Sequence, residues 1–284
     1  MSDTTEPTDD QTATTGQNDP DDLAVAHRLA DAARSAILPW FRAGTLVADN
    51  KATQGFDPVT EADRASEVAM RALLAELRPD DGVWGEEMGQ TEGTSGRIWV
   101  LDPIDGTRGF LSGTPTWGVL IALARAGAVP EPILGMVDQP YIGERFFGGI
   151  DVPPEVHGPL GRAALSTRPT ARLEDAILFT TFPEVGTKAE GQAFRRVADR
   201  VRLVRYGMDC YAYALLAAGQ IDLVIEAGLY AYDVLGPMGV IQAAGGIVTD
   251  WQGGPAGNGG QVVAAANVEL HRAALELLQD RTSH

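Results

Sequence analysis

Cysteine, lysine and histidine are nearly absent from this sequence, and each scarcity excludes something. The single cysteine of the 284 residues, Cys210, leaves no intrachain disulfide possible. That fits a reducing cytoplasm, where folds are held without such bridges. Lysine occurs only at Lys51 and Lys188 among 22 basic residues. Against 39 acids they leave a formal net charge of -17, which disfavours nucleic acid and anionic membranes as partners. No apolar run approaches the roughly 20 residues that span a bilayer, and no basic then apolar leader opens the chain. A cytoplasmic, membrane-free protein is the expectation. The four histidines, His27, His157, His271 and His284, neighbour no motif and read as surface or packing residues.

Residues 1–20 are rich in Thr, Asp, Gln and Pro and have no aromatic. They predict a disordered acidic tail. Residues 1–22 hold seven acids and no base, so the remainder carries about −10. Hydrophobic content of 44% is ordinary for a globular protein, and the length permits a large core.

Apolar spacing predicts a helix over 23–41, capped by Asp21 or Asp22. A second helix is predicted from Thr60 or Glu61 to Leu77, with Ala65, Val68, Ala69, Leu73 and Leu74 on its buried side. Thr60 and Asp63 resemble a capping box; a helix start is also a natural place to hold a carboxylate near a metal. Strand-like runs follow at 98–101, 117–124, 133–138 and 144–148, spaced as in an antiparallel meander. After Pro153-Pro154 strands and helices alternate: strands 176–180, 201–206, 221–226, 247–249 and 262–265, helices 190–201, 210–218, 234–244 and 268–278. This gives an N-terminal α+β half over 21–152 and a C-terminal α/β half over 153–284.

The most informative stretch is Trp99-Val100-Leu101-Asp102-Pro103-Ile104-Asp105-Gly106-Thr107. A buried strand ends in two acids three residues apart, on a turn stiffened by Pro103 and tightened by Gly106. Like charges held that close are destabilising without a cation between them. Carboxylates and a backbone carbonyl are the oxygen ligands that Mg2+ takes. Gly106 and Thr107 then offer N–H groups and a hydroxyl where an anion can dock. Two further segments add acids: Trp84-Gly85-Glu86-Glu87, and Tyr230-Ala231-Tyr232-Asp233-Val234, where a lone acid stands among apolar residues at a cost that pairing or a metal offsets.

Together these segments resemble the inositol monophosphatase family of Mg2+-dependent, lithium-sensitive phosphatases. Residues 99–107 match its first signature without a break. Gly85-Glu86-Glu87, the run from Asp57-Pro58-Val59-Thr60 to Asp63, and Tyr232-Asp233 with Ala244-Gly245-Gly246 match the rest. Two departures stand near Asp233. Val234-Leu235-Gly236-Pro237-Met238 replaces the usual pair of small residues, and Gln242-Ala243 replaces a common Glu. Pro237 lacks an N–H, so the expectation is a shifted helix start or Pro237 in the first turn.

The resemblance implies a layered α-β-α-β-α sandwich, a homodimer and two or three Mg2+ ions. Glu86, Asp102 and the Ile104 carbonyl would hold one ion. Asp102, Asp105 and Asp233 would hold the second, and Asp63 would orient water at a weaker third. Thr107 with Glu86 would direct the attacking water, so no histidine base is needed. The N–H groups of Gly106 and Thr107 would grip a phosphate, near Asp105. Glu226 falls at a position that contacts the rest of the substrate. Residues 205–213, from Arg205 to Tyr213, occupy the substrate loop and bring an extra acid, Asp209. Asp209 either caps the helix that follows or, with Glu226, faces a cationic leaving group. The segments 108–117, 135–145 and 209–213 are most similar to the histidinol-phosphate phosphatases of the family. The expected substrate is therefore L-histidinol phosphate, with inositol 1-phosphate and other small monoesters as alternatives; a non-catalytic anion- or metal-binding protein is the rival of another class. Cys210 reads as a small buried helix residue and Glu87 as a solvated or supporting acid.

Overall fold

The computed structural model describes residues 21–43, 48–50 and 58–279. The predicted acidic tail, Asp57 and His284 lie outside the described residues. Helix α1 (Asp22–Ile37) starts where Asp21 accepts from the Ala24 N–H at 2.6 Å. Val25, Ala26, Leu29, Ala30, Ala33 and Ile37 form its buried stripe. A short ribbon, β1 (Ala48–Asn50) with β2 (Pro58–Thr60), leads to α2 (Glu61–Leu77).

The buried side of α2 departs from expectation. Val68 is 53% exposed, while Asp63 and Glu67 are fully buried beside Ala62, Ser66, Met70 and Leu74. Hydrophobic periodicity missed this face because two of its members are acids with specific hydrogen-bond partners.

The first sheet has eight strands. Strands β3 (Gly82–Gly85), β4 (Gly89–Thr91) and β5 (Arg97–Asp105) form one flank. From β5 the chain passes through a short helix, α3 (Thr107–Ser112), into β6 (Gly118–Arg125). It then meanders through β7 (Glu131–Gln139), β8 (Glu144–Gly149), β9 (Glu155–Gly158) and β10 (Gly161–Ala164). The spatial order is β10-β9-β8-β7-β6-β5-β3-β4, with only β3 and β5 parallel. The predicted meander is present, and β9 and β10 carry this sheet beyond residue 152.

The second sheet is built from β11 (Ile177–Thr180), α4 (Lys188–Ala198), β12 (Leu203–Tyr206), α5 (Asp209–Ala217), β13 (Leu223–Tyr230), α6 (Ala231–Ala243), β14 (Ile247–Thr249), β15 (Gly259–Ala265) and α7 (Val268–Gln279). Its strand order is β12-β11-β13-β15-β14.

Alternation along the strands sorts the core into layers. Leu101, Val119, Ile121 and Leu123 pack with α1 and α2. Leu120 and Val137 point the other way and meet α5 and α6. Val224, Val262 and Ala264 meet those same helices from the second sheet. Leu223, Ile225, Val263 and Ala265 turn outward to α4 and α7. The result is the α-β-α-β-α sandwich.

Helix α6 lies against the first sheet at very short range. A Cβ on Gly135 of β7 would stand 2.1 Å from the Gly236 carbonyl, and one on Gly239 would stand 2.7 Å from the Gly135 nitrogen. The small residues after Asp233 are therefore demanded by backbone contact. Pro237 takes neither expected place: α6 starts at Ala231 and carries Pro237 in its second turn. Proline there removes one N–H, the one that would bond the Asp233 carbonyl. The tight seating of Gly236 and Gly239 keeps the helix continuous around it.

Candidate active site

Five of the described chain segments converge on one cavity between the two sheets. Its volume is about 280 Å³. Strand β3 ends at Gly85 and delivers Glu86, whose N–H bonds the Leu101 carbonyl at 3.2 Å. Strand β5 delivers Asp102, Ile104 and Asp105. Its pairing with β6 shifts register between Asp102 and Asp105, where Pro103 has no N–H to give the ladder. A bulge of this kind re-aims side chains, and here both acids reach the cavity. Gly106 follows with φ +83°, a left-handed turn that favours glycine, and α3 begins at Thr107. Asp233 arrives from the opposite sheet at the third position of α6.

Backbone groups hold each acid. Asp102 Oδ1 accepts from the Ile104 N–H at 3.0 Å, Asp105 Oδ2 from Cys210 N–H at 2.7 Å, and Asp233 Oδ2 from Tyr230 N–H at 2.7 Å. One oxygen from each of Asp102, Asp105 and Asp233 lies within 4.8 Å of the others. Thr107 Oγ1 donates to the Ile104 carbonyl at 3.2 Å.

Burial raises all three acids. Asp102 is held well above the usual carboxylate range by burial and then by Glu86, Asp105 and Asp233. Asp105 is raised by burial, then by Asp233 and Asp209. Asp233 rises to about 7, with burial again the first cause. Three or four mutually repelling carboxylates with pre-oriented oxygens are a poor arrangement for a protein by itself and a good one for a hard divalent cation. The donor set therefore fits a metal.

The far wall carries the second group of acids. Glu226 Oε1 accepts from the Thr181 N–H at 2.9 Å and its hydroxyl at 2.5 Å; Oε2 accepts from Tyr213 Oη at 3.2 Å. Asp209 has φ +47°, and its Oδ2 accepts from Thr116 Oγ1 at 2.8 Å. It does not cap α5. That task falls to Asp105 through Cys210. Burial raises Asp209, while Thr116 and Arg108 act in the opposite sense.

Glu86, Asp102, Ile104, Asp105, Gly106, Thr107, Asp209, Glu226 and Asp233 thus share one cavity. Two expected site residues lie elsewhere. Arg205 is exposed on β12 and does not line the cavity. Asp63 is buried at the start of α2, where its Oδ2 accepts from Thr60 N–H at 2.9 Å and completes a capping box. Among the described residues its Oδ1 has no hydrogen-bond partner, and burial lifts the group to about 6. Among the described residues no histidine lines the cavity. The Cys210 thiol is buried and pushed well up by burial and Asp105, which makes it a poor nucleophile.

Sequence patterns missed the aromatic rim. Phe182 carries the Arg108 guanidinium at 4.9 Å from its ring centre, and Tyr230 stacks on Tyr232 at 5.2 Å. Phe182 belongs to a loop and Tyr230 to a strand end without a motif, whereas Arg108 and Tyr232 lie at the starts of α3 and α6 beside the matched signatures. Tyr230-Ala231-Tyr232 before Asp233 was the one visible signal.

A profile of the inositol monophosphatase family matches residues 19–283. The chain belongs to the inositol monophosphatase family. Its members are metal-dependent phosphatases, and this chain is one of them. It is 40% identical to the bifunctional phosphatase IMPL2, chloroplastic, of Arabidopsis thaliana, over 90% of this chain and 74% of that protein. It is 36% identical to the histidinol-phosphatase of Streptomyces coelicolor, over 92% and 98% of the two chains. A solved inositol monophosphatase from Zymomonas mobilis superposes with a TM-score of 0.80 at 41% identity, covering 91% of this chain and 98% of that one. The family shares this sandwich. Among the described residues no helix is long and apolar enough to cross a membrane.

Proposed function

We propose that this family member is a Mg2+-dependent phosphomonoesterase that hydrolyses L-histidinol phosphate. One observation carries the substrate: two acids, the half-buried Asp209 and the buried Glu226, share the cavity with the Asp102–Asp105–Asp233 cluster. A phosphate ester whose other end is cationic matches both groups. Histidinol phosphate has an ammonium and an imidazole that charges near neutral pH. The similarity to the Streptomyces coelicolor histidinol-phosphatase supports the same reading.

When bound, two or three Mg2+ ions supply charge neutralisation at the phosphoryl group and lower the pKa of water. Glu86, Asp102, the Ile104 carbonyl, Asp105 and Asp233 are the residues that would hold them. Asp63 stands outside the cavity lining with Oδ1 unpaired among the described residues, and would act on a third, weaker ion only by orienting water. Thr107 and Glu86 orient the attacking water. The N–H groups of Gly106 and Thr107 hold phosphoryl oxygens. Glu226, with both oxygens already fixed by Thr181 and Tyr213, keeps lone pairs for an ammonium. A homodimer and a cytoplasmic location belong to the same proposal and rest on the family resemblance and on the scarcity of cysteine.

Inositol 1-phosphate is the second reading, favoured by the 41% identity to the Zymomonas mobilis enzyme. A phosphate-release panel with histidinol phosphate, inositol 1-phosphate and glycerol 2-phosphate separates the two. Histidinol phosphate is expected to give the highest kcat/KM. A wide preference for inositol 1-phosphate would sink the substrate while leaving the metal chemistry in place.

A further inference from the structure

We propose that Glu67 is a positioning residue for Glu86, and that it sets Mg2+ affinity without touching metal or substrate. This rests on reading the carboxylate cluster as the metal site. Glu67 is fully buried on α2 and lines no part of the cavity. Its Oε2 accepts from the Glu87 N–H at 2.8 Å, and its Oε1 accepts from the Met88 N–H at 3.1 Å. Arg71, one turn further along α2, donates Nε to Oε1 at 2.7 Å and Nη2 to the Gly89 carbonyl. Helix α2 therefore grips the three residues that directly follow Glu86.

The grip is needed because of where Glu86 stands. It leaves the end of β3, next to the outermost strand of the sheet, and β4 is exposed along its length. Edge hairpins are easily displaced, and among the described residues no strand beyond β4 braces this one within the sheet. Gly85 makes room for the clamp: a Cβ there would lie 2.0 Å from Glu67 Oε1. Burying a carboxylate is costly unless its oxygens are satisfied. Here two peptide N–H groups and a guanidinium satisfy them, and all the gain is spent on the turn that aims Glu86 at Asp102. Groups that orient a metal ligand from behind typically change metal affinity by about 10–100-fold when removed.

The test uses Glu67→Gln. Its amide must turn an NH2 toward either the Glu87 N–H or the Met88 N–H and Arg71, so one contact becomes donor against donor. Gly85→Ala attacks the same clamp from the other side. Asp222→Asn is the control: Asp222 is equally buried and accepts from the Ile177 N–H at 2.8 Å and from Arg168 at 3.2 Å, in the other sheet. Mg2+ binding to substrate-free protein is measured by calorimetry, half-activating Mg2+ by turnover, and Tm by thermal melting. Glu67→Gln and Gly85→Ala are expected to weaken Mg2+ binding by about 10–100-fold and raise half-activating Mg2+ in step. KM at saturating Mg2+ should stay unchanged. Asp222→Asn should lower Tm and leave Mg2+ affinity alone. If wild type binds Mg2+ and Glu67→Gln binds it equally well, Glu67 is structural only. Glu67 is also structural only if Asp222→Asn weakens Mg2+ binding as much as Glu67→Gln does. If Glu67→Gln does not fold, unchanged Mg2+ affinity in Gly85→Ala overturns the proposal. Absence of Mg2+ binding in wild type would instead overturn the metal-site reading.

Discussion

Asp105 and Cys210 lie 105 positions apart in the chain, and the Cys210 N–H donates to Asp105 Oδ2 at 2.7 Å. An acid of the carboxylate cluster thereby caps the helix whose first residue is Asp209. The two walls of the cavity are tied by one hydrogen bond. A helix N-terminus favours a negative charge, so the bond favours ionised Asp105, against the burial that opposes it.

Replacing a cluster acid separates chemistry from stability. Asp102→Asn and Asp233→Asn should each lower turnover by roughly 100-fold or more, because metal stabilisation of transition-state charge is worth several kcal/mol. Both variants should melt at or above wild type in EDTA, since a repelling charge is gone. Thermal melts with and without Mg2+ check this, and near-normal turnover of both at modest Mg2+ would reject the assignment.

Stability of the metal-free protein should fall as pH rises through the cluster's titration. Asp233 rises from 3.8 to about 7 on folding and Asp63 from 3.8 to about 6. Between about pH 4 and 7 the folded chain keeps protons that the unfolded chain has released, so raising pH through this window removes stability. His27 and His271, lowered by burial, act with the opposite sign around the ordinary histidine value. Comparing melts of wild type and Asp233→Asn in EDTA isolates the acid: the fall should be shallower in the variant. Mg2+ competes with those protons, so the Tm gap between Mg2+ and EDTA should widen with pH.

Asp209→Asn tests the leaving group. A charge-assisted hydrogen bond is worth roughly 1.5–3 kcal/mol. The variant should lose about one to two factors of ten in kcat/KM for histidinol phosphate and almost nothing for glycerol 2-phosphate. Asn can still accept from Thr116, so the loop should stay in place. A parallel fall on both substrates would mean that Asp209 serves only the loop.

Gly106→Ala should impair both folding and turnover. The position has φ +83°, and a Cβ would lie 2.8 Å from Asp209 Cβ. Left-handed backbone costs a non-glycine residue roughly 1–2 kcal/mol, which urea unfolding can measure. Turnover should drop further than stability predicts, because the donors of residues 106 and 107 move with the turn.

Much of the site was legible in the sequence. Motifs carried Glu86, Asp102, Ile104, Asp105, Gly106, Thr107 and Asp233 to a common cavity, since acids on stiff turns declare themselves locally. Strand runs of the meander were equally plain. The buried face of α2 was not, because periodicity counts apolar residues and Asp63 and Glu67 are buried by hydrogen bonding. Arg205 was not, although Asp209 of the same segment reaches the cavity: Arg205 is exposed on the edge strand β12, and charge alone gave no face. Pro237 broke a local rule that tertiary contact at Gly135 overrode.

The side chain of Asp209 fills the space that Gly106 and Gly109 leave by having none: Cβ atoms on them would lie 2.8 and 3.0 Å from it. On the proposed reading of the cavity, substrate choice and phosphate grip are therefore inherited as one block. A lineage that trades Asp209 for a larger residue must rebuild the turn beneath it at the same time. One that trades it for a smaller residue opens a void under the Gly106 turn and takes from Thr116 Oγ1 one of its two hydrogen-bond partners. Only the isosteric exchange to Asn leaves the turn beneath this position undisturbed.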